Sequence, residues 1–150
     1  MADDRNRRVV DRYAAALAAN DLDVDAFEAL FRDDAVETYP QSGERFRGGP
    51  NIRGMLENYP ARAEGMRPSV ERVIGGEDRW VMSPAFTALS VAGSGEQFTT
   101  VGRVRYPNGE EWHVIHLMEV RDGKIAKVTS YFAAPFDAPD WRTPYREGPP

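Results

Sequence analysis

The chain has no cysteine and only 2 histidines in 150 residues. The missing thiols exclude a disulfide scaffold and a zinc-thiolate site. Two histidines without cysteine cannot complete a transition-metal site of the usual kind, so no metal and no cofactor is expected. A cysteine-free chain fits a reducing cytoplasm, where we expect the protein to reside. Long apolar runs are also missing. None approaches the roughly 20 residues that span a bilayer, and the charged stretch Met1 to Arg8 is not followed by the apolar segment of a secretory leader. No membrane partner is expected. Runs of positive charge are absent too. The 19 Lys and Arg residues are scattered among 24 Asp and Glu, for a net charge of −5. Such a surface repels phosphate backbones, so nucleic acid is not an expected partner. Gly48-Gly49-Pro50 lacks the Lys-Ser/Thr continuation of a phosphate loop.

What is present suffices for a folded core: 41% hydrophobic residues, of which the aromatics alone make up 11% of the chain. A chain of this length corresponds to a single domain burying roughly two thirds of its unfolded surface. The first half has helical period. Val10, Tyr13, Ala14 and Leu17 form one stripe on an Ala-rich segment. Asp25 and Glu28 have capping-box spacing for a second helix, whose buried face would be Phe27, Leu30 and Phe31. Val36 to Pro40 reads as a short strand. Pro50 opens a third helix lined by Ile52, Met55, Leu56 and Tyr59, and Pro60 ends it.

The second half reads as strands over 70–74, 80–91, 98–106, 112–120 and 125–132. They are separated by Gly75-Gly76, Gly93-Ser94-Gly95, Pro107-Asn108-Gly109 and Asp122-Gly123. Short turns between consecutive strands imply an antiparallel meander, and helices followed by strands imply an α+β domain. The stretch from Trp112 to Met118 is apolar on both faces, so the side turned away from the core needs a cover: the helices or a second subunit. We therefore expect a homodimer. Residues 1–132 form the domain. Residues 133–150, with five prolines and Phe136, Trp141 and Tyr145, read as an extended arm packed on the domain or on a dimer partner.

Several residues have the right chemistry for a small-molecule site. His116 sits mid-strand among apolar neighbours, and imidazole exchanges protons near neutrality. His113, three residues away in a strand, points to the opposite face. Tyr13 lies on the apolar stripe of the first helix, where its hydroxyl needs a partner. Tyr39 precedes Pro40 at a strand end. Trp80, Trp112 and Tyr131 are candidate walls from the strands, and Phe31, Met55 and Tyr59 from the helical half; for each of them ordinary core packing is the competing role. Asp33, Asp34 and Glu37 read as solvated acids of a helix-to-strand turn.

Three stretches carry a family resemblance: Tyr13 to Asp23 with Phe27 to Val36, Phe46 to Arg53, and Val120 to Ile125 with Tyr131-Phe132. Together these resemble SnoaL-like proteins and ketosteroid isomerases, of the nuclear-transport-factor-2-like superfamily, over about residues 5 to 132. The resemblance implies a cone, in which a curved antiparallel sheet wraps around three N-terminal helices and encloses an apolar pocket. It also implies roles. Tyr13 matches the ketosteroid isomerase tyrosine that donates to a substrate oxyanion. The general-base aspartate of that family falls at Tyr39. Its protonated aspartate, and the acid/base aspartate of SnoaL-type cyclases, fall near His116.

The expectation is a cofactor-independent isomerase or cyclase acting on a small, apolar, oxygen-bearing metabolite. His116 would move the proton, and Tyr13 and Tyr39 would orient the substrate oxygen. A lyase or epoxide hydrolase fits less well, because epoxide hydrolysis needs an Asp–Arg–Asp set that these strands do not assemble. The alternatives are a non-catalytic binding module for a hydrophobic ligand and a dimeric interaction scaffold.

Overall fold

A computed structural model describes residues 2–18, 23–58, 86–105 and 110–148. The expected strand over 70–74, the first part of the one over 80–91, Trp80 and Tyr59 lie outside the described residues. Three helices and six strands follow in order: α1 (Ala2–Ala18), α2 (Val24–Glu28), β1 (Phe31–Tyr39), β2 (Glu44–Arg47), α3 (Gly49–Glu57), β3 (Phe86–Ser94), β4 (Gln97–Arg105), β5 (Glu111–Arg121) and β6 (Lys124–Ala133).

Helix α1 buries Val9, Val10, Tyr13, Ala14 and Leu17, the stripe its period anticipates. Its position is fixed by a polar group. Buried Asn6 donates from Nδ2 to the carbonyls of Gly95 (2.8 Å) and Val120 (3.2 Å) and accepts at Oδ1 from the Gly123 amide (2.9 Å). One side chain thus ties the helix to two hairpin turns.

The second helix is shorter than its sequence suggests. Its N-cap is Asp23, whose carboxylate accepts from the Ala26 amide at 3.0 Å, rather than Asp25. Asp25 and Glu28 instead pair with Arg53 of α3. Strand β1 then begins at Phe31, five residues earlier than the apolar pattern indicates. Tertiary pairing overrides the helical period there. The Ile125 amide donates to the Leu30 carbonyl at 2.8 Å, and Phe31 stands opposite Ile125.

The six strands form one curved, open sheet in the order β2-β1-β6-β5-β4-β3. Strands β3 to β6 are the expected antiparallel meander. The β1–β6 pair is parallel, a departure from the all-antiparallel expectation, and the two strands are far apart in the chain, so a long connection joins them. Register shifts interrupt the β1–β6, β3–β4 and β5–β6 ladders, and irregularities of this kind bend strands. Along β5 the inner row is Trp112, Val114, His116, Met118 and Val120, all buried.

The outer row is open in the single chain. Leu117 is 45% exposed, Leu89 49% and Tyr131 39%. Helix α1 packs on the inner face, so among the described residues the apolar side chains on the outer face of β5 and β6, Leu117 and Tyr131, are left partly exposed. Beyond β6 the chain runs to a 3₁₀ helix (Asp140–Tyr145). There Phe136 (82% exposed), Trp141 (69%) and Tyr145 (84%) project into solvent, so they do not pack on their own domain. The Arg142 guanidinium lies 5.2 Å from the centre of the Trp141 ring. Among the described residues no helix is long and apolar enough to cross a membrane.

Candidate functional site

The inner face of the sheet is apolar except for one row. Thr100 on β4 stands directly opposite His116 on β5, and His116 opposite Ser130 on β6. Glu37 on β1 is opposite Val128, diagonal to Ser130. Four polar side chains therefore cross four adjacent strands, all buried: Thr100, His116, Ser130 and Glu37. Alternation places them there, since inward residues recur every second position.

Helix α1 lays Tyr13 on this row. Its ring meets the His116 imidazole edge-on at 5.3 Å between centroids, and its hydroxyl lies 3.4 Å from His116 Nδ1. The closer partner of Nδ1 is Ser130 Oγ at 2.9 Å. Phe27 and Phe31 pack on the other sides of the Tyr13 ring, at 5.5 and 6.2 Å. Phe86 comes within 6.4 Å of the His116 ring. It lies so close over Gly102 that a Cβ there would sit 2.1 Å from the ring, a close approach that only glycine permits. Among the described residues, two buried side-chain atoms have no partner: Thr100 Oγ1 and His116 Nε2.

Burial sets the proton affinities. It pushes the Glu37 carboxyl up to about 7, against hydrogen bonds from the hydroxyls of Tyr39 and Ser130 that hold it down. It pushes His116 down to about 4. It also raises the Tyr13 hydroxyl well above its ordinary value, with the negative charge of Glu37 adding to the effect. Tyr39 is raised in the same way, first by burial and then by Glu37.

The sequence-derived candidates divide. Tyr13, His116 and Tyr39 gather around Glu37. The Tyr39 hydroxyl also reaches Met55 Sδ at 3.6 Å, so Met55 borders the same group. Phe31 packs behind Tyr13. Trp112 is buried at the far end of the inner β5 row, and its Nε1 donates to Glu110 at 3.0 Å. Tyr131 does not join them, because strand parity turns it to the outer face. His113 is turned outward as expected.

The reading of Glu37 as a solvated acid is overturned: strand β1 extends through it and directs it inward. The signal available in the sequence was its place inside the expected strand over Val36 to Pro40, where it alternates with Ala35 and Tyr39. Among the described residues no group of three or more His, Asp or Glu side chains is placed to hold a metal ion. On the outer face, Arg32, Asp34, Val36, Thr38, Arg45, Glu119, Arg121, Ala126 and Lys127 line a separate groove that shares no residue with the buried row.

Residues 10–128 match the SnoaL-like domain family. A search of curated proteins found no match. Among solved structures, an NTF-2-like protein of unknown function from Burkholderia xenovorans LB400 is 29% identical, with 98% of this chain and 97% of that one covered and a TM-score of 0.72. A provisionally assigned ketosteroid isomerase from Kribbella flavida DSM 17836 is 18% identical, covering 99% and 92%, with a TM-score of 0.75. A protein with a ketosteroid isomerase-like fold from Catenulispora acidiphila DSM 44928, in complex with trimethylamine, is 18% identical over 83% and 85%, with a TM-score of 0.58.

Proposed function

This chain belongs to the SnoaL-like domain family, and on that premise we propose that it is a cofactor-independent acid–base enzyme, an isomerase or cyclase, acting on a small apolar metabolite that bears oxygen. One observation carries the reading. The Glu37 carboxyl is buried among neutral hydroxyls, beside His116 and two tyrosines, on a sheet face that is otherwise apolar. A structural carboxylate in such a place would be expected to pair with a cation, and the groups acting on Glu37 include none.

The roles differ from those the sequence suggested. A general acid–base group works best when its affinity lies near the working pH. Glu37, at about 7, meets that condition. His116, at about 4, stays a neutral imidazole at neutral pH and serves as a hydrogen-bonding group rather than as a stored proton. Tyr13 keeps its proton and can donate to a substrate oxygen. Phe27, Phe31 and Phe86 keep the surroundings of low polarity, which strengthens each of these interactions.

The test begins with native mass spectrometry of the protein as purified, to identify an apolar metabolite that travels with it. With that compound or its reaction partner as substrate, Glu37→Gln should lower kcat by about 10²- to 10⁴-fold with unchanged circular dichroism. Full activity in Glu37→Gln would end the assignment.

A second reading concerns assembly and rests on a separate observation. Leu89, Leu117 and Tyr131 on the outer sheet face are exposed together with the aromatics of the arm. We propose that a second copy of the chain covers this face.

A further inference from the structure

The row that crosses the sheet has an order, and the order has chemical consequences. Starting at β1, Glu37 lies diagonal to Ser130 on β6, Ser130 Oγ is 2.9 Å from His116 Nδ1, and the imidazole presents its other nitrogen, Nε2, with no partner. Beyond it stands Thr100, whose Oγ1 is also buried without a partner, on the residue directly opposite His116. Buried side-chain polar atoms are paired in the great majority of cases, and exceptions call for a reason such as a catalytic role.

We propose that Glu37, Ser130 and His116 form a proton relay whose outer end is His116 Nε2, and that Nε2 and Thr100 Oγ1 together receive the acidic hydroxyl of an enol or phenol. This deepens the acid–base reading above and rests on it.

The relay assigns the hydrogen-bond directions, with the closer Ser130 Oγ rather than the Tyr13 hydroxyl as the partner of His116 Nδ1. When Glu37 is ionised it only accepts, so the Ser130 hydroxyl donates to it. The Ser130 oxygen is then free to accept from His116, which puts the imidazole hydrogen on Nδ1 and leaves a lone pair on Nε2. A ligand O–H can donate to that lone pair while its oxygen accepts from the Thr100 hydroxyl. In the transfer the ligand O–H bond breaks and Nε2–H forms. Nδ1–H breaks and a new O–H forms on Ser130, and the original Ser130 proton passes to Glu37. The sum is one proton moved from ligand to Glu37 and one negative charge moved from Glu37 to the ligand. No imidazolium forms, which suits a ring whose burial disfavours its charged state. The resulting oxyanion faces two donors, Nε2–H and the Thr100 hydroxyl, and the reverse sequence returns the proton.

The acidity of the ligand is bounded by the same row. A phenol-like hydroxyl has an affinity near 10, so delivery to a carboxyl at about 7 is roughly a thousandfold uphill, within reach of two aligned donors. An aliphatic alcohol, close to water at about 15.7, would be uphill by a factor on the order of 10⁸ or more. Enols and phenols are therefore the class that fits.

The experiment is ¹⁵N NMR of the whole chain with labelled histidine, recorded from pH 5 to 9 with no ligand, alongside ¹³C NMR of labelled glutamate. The relay requires His116 to change tautomer, from Nε2–H at low pH to Nδ1–H at high pH, at the pH where Glu37 titrates. Glu37→Gln and Ser130→Ala should each abolish that change. Two variants are used so that a folding failure in one leaves the test intact. His116 holding one tautomer throughout while Glu37 titrates near 7 would overturn the relay and leave the acid–base reading standing. Glu37 titrating near its ordinary value would overturn both. Thr100→Val should preserve the tautomer change and raise Tm by a few degrees, because it removes an unpaired buried hydroxyl. A lowered Tm would mean that this hydroxyl is bonded within the fold and is not a ligand contact.

Discussion

At Glu37 a carboxyl is held in an environment that favours its proton, and stability must therefore depend on pH. Its folded-state affinity, about 7, lies above the ordinary 4.5. Between those values the folded state binds a proton that the unfolded state has lost, so this residue's contribution falls as pH rises through that window and levels off above it. His116 behaves oppositely. Its folded value of about 4 lies below the ordinary 6.5, so its contribution is full above 6.5 and is lost as pH falls towards 4. Over the shared range the two slopes cancel in the wild type. Removing one partner exposes the other. Relative to wild type, Glu37→Gln should gain about 3 kcal/mol as pH rises from 4.5 to 7. Urea unfolding at several pH values would measure the difference. A variant that tracks the wild type at constant offset would show that Glu37 has no raised affinity.

Among the elements, α1 is held by both kinds of force. Its apolar stripe buries Val10, Tyr13 and Leu17, and Asn6 satisfies two carbonyls and one amide of the turns at Gly95 and Gly123. Asn6→Ala would remove one buried hydrogen bond, to the Val120 carbonyl, and two part-buried ones, to the Gly95 carbonyl and from the Gly123 amide. Each group left unpaired costs roughly 1–3 kcal/mol, and the turns can partly rehydrate, so a loss of about 3 kcal/mol is expected, on the order of 10 °C in Tm for a chain of this size. Thermal unfolding followed by circular dichroism measures it, and a loss of less than about 1 kcal/mol would show that the turns hold without the helix. Because α1 also carries Tyr13, its displacement would weaken the contact with His116 as well.

For the whole molecule, the open question of cover falls on the outer sheet face. Ile115 stands opposite Tyr131, and Leu117 lies one inter-row step along the same strand. Leu89 and the arm aromatics are exposed as well, on a chain of net charge −5. If a second copy covers this face, light scattering should find a dimer at about micromolar concentration, and Leu117→Arg should yield a folded monomer. A wild-type monomer would refute the dimer. Deleting residues 134–150 separates the two surfaces: loss of the dimer places the arm in the interface, and retention assigns it to the sheet alone.

Much of the fold was legible in the sequence because it rests on local rules. The period of α1 and the turn residues before β4 and β6 depend on neighbours a few positions away, and these contribute to the α+β order and the meander. That His116 and His113 face opposite ways followed from parity alone, and the assembled sheet decided that His116 is the inward one. What tertiary structure decided were the pairings between distant segments. Phe31 looks helical until Ile125 pairs beside it, and that single pairing starts β1 early. The register of β1 against β6, with Glu37 opposite Val128, turns Glu37 inward, where it had read as a solvated acid. Ser130 and Thr100 carried no signal of their own, because a hydroxyl in a strand becomes part of a site only when register sets it opposite a histidine. The sequence determined which side chains could exchange a proton. Only the packing of β1, β4, β5 and β6 side by side, out of water, decided which of them share one, because burial and register are properties of the assembled sheet and not of any one strand.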